Sequence, residues 1–322
     1  MPRAVRIHAF GDSSVMRYEE IPDPTPKPGE AVVAIEAIGV NFLDVYHRLG
    51  IYPIPIPITL GQEGAGVVRS VGEGVTSVKV GDRVAWTGVF GSYAEVNAVP
   101  AGRLVLVPDG LQTKQAAAIM LQGITAHYLA TSTYPLKSGD AALVHAGAGG
   151  VGLLLTQIAK MRGARVITTV STAEKAALSR AAGADEVILY TQQDFEVEVR
   201  RITDGRGVQV VYDSVGQTTF DKSLNSLAPR GMMVLFGQSS GKVDKIYPTV
   251  LQKGSFYLTR PTIAHYAAAR AELEERSRDL FQWVRDGRLR LRVEFEFPLK
   301  DARVAHDALE GRKTTGKVLL IP

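Results

Sequence analysis

In the first third of the chain, apolar and polar positions alternate over short runs at 31–38, 64–71, 82–87 and 93–99. Glycine or proline breaks each run, so the pattern predicts β-strands. The proline clusters around Pro22-Asp23-Pro24 and Pro53-Ile54-Pro55-Ile56-Pro57 are too local to be linkers and read as rigid surface loops. A helix is expected from Thr113, where Ala116-Ala117-Ala118 continues through Met120 to Ala130. After residue 138 the rhythm becomes strand, turn, helix, repeated. Apolar runs at 141–145, 165–170, 186–189, 208–212, 232–236 and 255–258 predict six strands with helices between them. The fold class is therefore α/β, a β-rich domain joined to a doubly wound parallel sheet. A helix at 267–286 is expected to lead into a strand that carries Arg288, Arg290 and Arg292 on its solvated face. A last strand at 317–321 should rejoin the β-rich domain.

Composition narrows the classes. With 322 residues, 45% hydrophobic and 22% charged, the chain can bury two cores and is neither disordered nor fibrous. No apolar run approaches the roughly 18 residues of a membrane span, and Met1-Pro2-Arg3 opens into strand-like sequence, so a cytoplasmic protein is expected. The formal charge of +4 is spread along the chain. Its densest stretch lacks interleaved aromatics, which argues against a nucleic-acid partner. Zero cysteines exclude disulfides, thiolate nucleophiles and any zinc site that uses sulfur.

The strongest motif is Leu143-Val144-His145-Ala146-Gly147-Ala148-Gly149-Gly150-Val151-Gly152, a strand running into G-x-G-x-x-G and an apolar helix. Gly147 is expected to permit the tight turn, Gly149 to let the backbone approach a pyrophosphate, and Gly152 to let helix pack on strand. The helix N-terminus would offer free amides and a positive dipole. Readers of NAD normally place Asp or Glu about 20 residues on, to bind the adenine ribose. Here the second strand ends Thr168-Thr169-Val170-Ser171-Thr172 with Lys175 one turn later, which favours a 2′-phosphate and hence NADPH. Lys175 also fits a solvated helix residue, and Glu174 lies beside it. Phe236-Gly237-Gln238-Ser239 follows the fifth strand, at the carboxyl edge expected to face the nicotinamide half.

Upstream, Gly39-Val40-Asn41-Phe42-Leu43-Asp44-Val45-Tyr46 and Gly61-Gln62-Glu63-Gly64 resemble the medium-chain dehydrogenase/reductase superfamily. Its zinc alcohol dehydrogenases carry Cys near the position of Asn41 and His at that of Gln62, so the soft tetrahedral zinc site cannot be assembled and no metal site is expected. The zinc-free branch the chain is similar to is the NADPH:quinone oxidoreductase, zeta-crystallin-like family. The resemblance also rests on Val211-Tyr212-Asp213-Ser214-Val215-Gly216, Thr259-Arg260-Pro261 and Leu319-Leu320-Ile321-Pro322, and it runs over essentially the whole chain.

That resemblance implies a GroES-like catalytic domain from 1–124 and 263–322, and a Rossmann domain from 125–262 holding NADPH. The family's cofactor contacts fall on Phe42 to Tyr46 (Asp44 among them), Tyr128, Gly150, Val151, Ser171, Lys175, Tyr190, Ser214, Phe236, Gly237, Gln238, Ser239 and Arg312. Relatives often carry Gly in place of Ser171 and Asn in place of Gln238. A quinone is already an electrophile, so hydride transfer from NADPH requires mainly positioning. The expected acceptor pocket comprises Asn41, a donor to a developing oxyanion, with Tyr46, Tyr52 and Gln62. Tyr52, set among prolines, equally fits loop packing. Asp44 is expected to anchor its turn, and His47 to be an exposed histidine on a short helix. His127, His145, His265 and His306 lack metal-ligand spacing. The enzymatic alternative is reduction of an activated double bond. The non-enzymatic one is an NADPH-binding, crystallin-like or RNA-binding protein. The aromatic-aliphatic stretch at 255–258 suits a paired sheet edge, and a homodimer is expected.

Overall fold

The strand Glu30–Val40 organises the β-rich half because three partners use its edges. Glu63–Val71 runs antiparallel to it from Ala31 opposite Val71 to Ile38 opposite Gly64, and Val96–Pro100 pairs with its first half. The chain's last strand, Lys317–Ile321, joins at the other end with Val318 opposite Val40. The computed structural model describes all 322 residues and separates into two compact units, Met1–Ile124 with Ala267–Pro322, and Thr125–Tyr266. The second crossing thus lies four residues beyond the expected 262/263 boundary.

In the first unit a seven-stranded sheet encloses Ile35, Ile38, Val68, Val84, Trp86, Leu104, Val318 and Leu320. Burial of this many branched and aromatic side chains from segments distant in sequence is what holds the terminal strand in place. Two bulges bend the pairing of Glu30–Val40 with Glu63–Val71. Gly66 sits there because a side chain would overlap the Ala34 carbonyl. The expected strand at 93–99 is divided between two sheets. Val96–Pro100 belongs to the large sheet, whereas Tyr93 and Ala94 bond to the smaller one through Val5 N to Tyr93 O (2.7 Å) and an Ala4–Ala94 bridge.

The expected arginine strand at 288–292 does not form. The helix Arg270–Arg285 stops at Gly287, whose φ of +70° ends it, and Leu289 folds back to bond Trp283 O (2.9 Å) and bury its side chain. The strand begins only at Val293 and runs to Pro298.

The second unit is a six-stranded parallel sheet in the order Glu186–Leu189, Arg165–Val170, Ala141–Val144, Val208–Asp213, Leu227–Leu235, Tyr257–Thr259. The strand order reverses between Ala141–Val144 and Val208–Asp213, the place where such sheets bind ligands at their carboxyl ends. Leu143, Ile167, Val211 and Met233 from the strands pack against Phe195, Val199, Phe220 and Leu224 from the helices.

Candidate active site

In the second unit, Ala141–Val144 turns through Ala146 into the helix Gly150–Met161. The left-handed residue of this turn is Ala146 (φ +53°), not Gly147. Gly147 is required for a different reason: a Cβ would press on Thr168 Cβ at 2.5 Å and on Ser179 Oγ at 2.9 Å, a buried pair hydrogen-bonded at 2.7 Å. A side chain on Gly152 would overlap the Ala146 carbonyl, so helix and turn touch backbone to backbone. Gly149 differs from both, since its missing Cβ would meet nothing nearer than Ala146 O at 3.2 Å. It is the N-cap residue, no side chain caps the helix, and the amides of Gly150, Val151 and Gly152 open the first turn. The residues fit the pyrophosphate of a dinucleotide.

The second strand ends at Val170, and Thr172 caps the helix Ala173–Ala181 by accepting from Lys175 N (3.3 Å). The Thr172 hydroxyl also holds the Glu174 carboxyl below its ordinary range, which ties that carboxylate to the cap. Ser171 O accepts from Thr191 Oγ1 (2.9 Å), and Tyr190, 40% exposed, follows the third strand. Buried Asp213 binds the Ser214 loop by accepting from Val215 N (2.7 Å), Gly216 N (2.9 Å), Thr219 Oγ1 (2.7 Å) and Ser223 Oγ (3.0 Å). Arg260 fixes the neighbouring loop by donating to Leu235 O and Gly237 O (both 3.1 Å) and to Gln238 Oε1 (3.1 Å). Phe236 and Ser239 follow that clamp, with Ser239 N on Ser214 O at 3.2 Å. Tyr128 stacks on Tyr266 at 4.3 Å. Asp213 and Arg260 both lie inside motifs visible in the sequence, but their work as loop anchors needed the fold.

In the first unit, Asn41 opens the helix Phe42–Arg48, which carries Asp44 and Tyr46, and Gln62 is buried with its backbone carbonyl accepting from Gly88 N (2.8 Å). Tyr46 packs edge-on against Tyr52 at 5.5 Å and against Phe42 at 6.2 Å. His47 is buried rather than exposed: its ring lies 4.9 Å from Phe90, its Nδ1 lies 3.1 Å from Tyr52 O, and burial lowers its pKa. Arg312 follows the helix Ala302–Glu310 at φ +55°.

Asn41 is only 3% exposed. Its amide donates to Glu63 Oε2 (2.8 Å) and Gly39 O (3.3 Å), and its Oδ1 accepts from Lys317 Nζ (3.0 Å). The carboxamide expected to serve an oxyanion thus has both hydrogens engaged within this unit. Lys317 also donates to Glu63 Oε2, and Glu63 Oε1 accepts from Leu121 N (2.6 Å).

A second buried chain starts one turn on. Asp44 Oδ2 accepts from Asn41 N (2.9 Å) and Tyr93 Oη (3.1 Å), and Tyr93 Oη meets His306 Nε2 (2.9 Å). Arg48 donates to His306 Nδ1 (3.0 Å) and pairs with Glu310 (2.7 Å). Because Arg48 can only donate, His306 carries its proton on Nε2 and donates a hydrogen bond to the Tyr93 oxygen, and the Tyr93 hydroxyl donates one to Asp44. Burial, opposed by the Asn41 amide and the Lys317 charge, pushes the Asp44 carboxyl up to about 7. Burial and the Arg48 charge push His306 down to about 3. The sequence offered no signal for Lys317, Tyr93, Arg48 or His306, whose partners lie up to 276 positions away.

Residues 27–109 match the alcohol dehydrogenase GroES-like domain, and residues 150–284 the zinc-binding dehydrogenase family. Zinc does not fit the donors present. Asn41 and Gln62 offer carboxamides, the chain has no cysteine thiolate, and the Lys317 ammonium already occupies Glu63. The chain is 44% identical to a quinone oxidoreductase of Pseudomonas aeruginosa, with all of both chains covered. It is 43% identical to a 2-haloacrylate reductase of a Burkholderia species, over 100% of this chain and 99% of that one. Escherichia coli quinone oxidoreductase complexed with NADPH superposes with a TM-score of 0.97 at 43% identity, over 99% of this chain and 100% of that chain. With both halves matched and relatives this similar over the full length, the chain belongs to the quinone oxidoreductase family of the medium-chain dehydrogenase/reductase superfamily.

Proposed function

We propose that this oxidoreductase transfers a hydride from NADPH to a quinone without a metal ion. The carrying observation is the cluster of Asn41, Glu63 and Lys317, in which a buried ammonium already pairs with the one carboxylate and a carboxamide bridges the two, a donor set that suits no Lewis-acid metal. A quinone suits such a site because its reduced anion is delocalised and takes its protons from water. When bound, NADPH supplies the hydride. The amides of Gly150, Val151 and Gly152 hold its pyrophosphate, and Ser171, Lys175 and Tyr190 hold the 2′-phosphate. The loop of Phe236, Gly237, Gln238 and Ser239 orients the nicotinamide half, kept in place by Asp213 and Arg260. Tyr46 and Tyr52 flank the acceptor ring and Gln62 lines its pocket.

The test is loss of NADPH absorbance with EDTA present, against benzoquinone, a naphthoquinone, a 2-haloacrylate and a 2-alkenal. Quinone turnover indifferent to chelator is expected. Lys175→Ala should raise the KM for NADPH about ten- to a hundred-fold, the worth of one charge-assisted contact, and leave that for NADH nearly unchanged. The 2-haloacrylate reductase among its relatives favours double-bond reduction as the second reading. Inert quinones with a reactive haloacrylate or alkenal would establish it. NADPH binding without any turnover would move a binding role ahead.

The sheet edge Tyr257–Thr259, with Tyr257 58% exposed, supports the homodimer reading. Light scattering should give about twice the 34.7 kDa of one chain, and a monomeric mass would remove this assembly. No helix is long and apolar enough to cross a membrane.

A further inference from the structure

Lys317 opens the last strand, 276 positions from Asn41 and 254 from Glu63, yet its side chain is 3% exposed and that of Glu63 is fully buried. The backbone is shaped around the pair. Leu319 lies opposite Gly39, and a side chain at Gly39 would overlap the Glu63 carboxylate and come within 2.7 Å of Lys317 Nζ. An ammonium can only donate and a carboxylate can only accept. Between them they allow one orientation of the Asn41 carboxamide, oxygen toward Lys317 and nitrogen toward Glu63. Such a pair contributes little net stability, because desolvation consumes most of its Coulomb attraction, and apolar residues of the same volume would serve the core as well. What apolar residues would not supply is the orientation of Asn41, which starts the helix bearing Tyr46.

We propose that Lys317 is a positioning residue for hydride transfer. Its ammonium locks the Asn41 carboxamide and the start of the helix Phe42–Arg48, and it supplies beside Glu63 the positive charge that a metal would otherwise bring. The inference rests on the reductase reading above, and goes beyond it by giving the far end of the chain a part in the site.

Removing Lys317 alone strands a buried carboxylate, so the test variant is Lys317→Met with Glu63→Gln, which leaves no unpaired charge. Two measurements are made on it. In steady-state reduction of benzoquinone, kcat is expected to fall about ten-fold or more while the KM for NADPH stays within about two-fold. In NMR of protein labelled with 15N-asparagine, the Asn41 side-chain amide exchanges slowly with solvent in the wild type, and is expected to exchange at least about ten-fold faster in the variant. Lys317→Gln with Glu63→Gln keeps a donor toward Asn41 Oδ1 and should recover part of both losses; it also stands in if the first variant does not fold. A folded variant with wild-type kcat, or with unchanged amide exchange, overturns the proposal. Should the wild type reduce none of the acceptors, the reductase reading fails by itself, and the exchange experiment still decides whether Lys317 holds Asn41.

Discussion

Between about pH 4 and pH 6.5, Asp44→Asn is expected to make the protein's stability rise with pH, and His306→Gln to make it fall, while the wild type shows neither slope from these two groups. The signs follow from which state binds the proton. Asp44 titrates near 3.8 when unfolded and at about 7 when folded, so across that window the native protein holds a proton the unfolded chain has released. Its contribution is complete below the unfolded value and is lost as pH rises toward 7, about 4 kcal/mol in all. His306 is the reverse. It titrates near 6.5 when unfolded and at about 3 when folded, so the unfolded chain binds more protons and stability falls as pH drops, by about 5 kcal/mol in all. The two windows overlap, and their slopes of about 1.4 kcal/mol per pH unit oppose each other. Both groups bond the same Tyr93 hydroxyl, with Lys317 and Glu63 charged on the Asp44 side and Arg48 and Glu310 on the His306 side. Urea unfolding of the three proteins at several pH values measures this directly. Two variants with parallel stability profiles would show that the buried chain does not carry these protonation states.

Gly149→Ala and Gly152→Ala should separate binding from folding within one turn. At Gly152 the added methyl overlaps the Ala146 carbonyl and crowds Gly147 Cα at 3.0 Å, both backbone, so the helix must shift. A loss of about 1–3 kcal/mol is expected, with NADPH binding lost alongside it. At Gly149 the methyl meets nothing nearer than Ala146 O at 3.2 Å, and the backbone there (φ −76°, ψ 170°) suits any residue. That variant should melt close to the wild type yet bind NADPH about ten-fold or more weakly, because the methyl would stand beside the amides proposed to hold the pyrophosphate. Thermal unfolding and titration of nicotinamide fluorescence decide the matter. Wild-type affinity in Gly149→Ala would mean that the ligand passes elsewhere.

Gly152 shows why the dinucleotide unit could be read in advance. Its strand, turn and helix are contiguous from Ala141 to Met161, so the interactions that define it lie between near neighbours in sequence. The absence of a carboxylate after Val170 is a fact of composition at one strand end, equally visible. Even within this unit the reason for each glycine was not legible. Gly147 answers to Thr168 and Ser179, and the left-handed position is Ala146. The alternation at 288–292 misled because a two-residue period over five positions also arises in a loop that folds back to bury Leu289.

By itself, then, the sequence determined the order of elements, the doubly wound sheet, the glycine-rich turn between strand and helix and the lack of a cysteine ligand, all properties of residue type and short spacing. Only the tertiary structure decided that Lys317 stands beside Asn41 and Glu63, and that Asp44, Tyr93, His306 and Arg48 form one hydrogen-bonded chain. Those contacts depend on the terminal strand docking on Glu30–Val40 and on the helix Ala302–Glu310 that precedes it. Whether Lys317 and His306 are solvated or buried is set by that docking, because the same side chains in water would have no fixed partners.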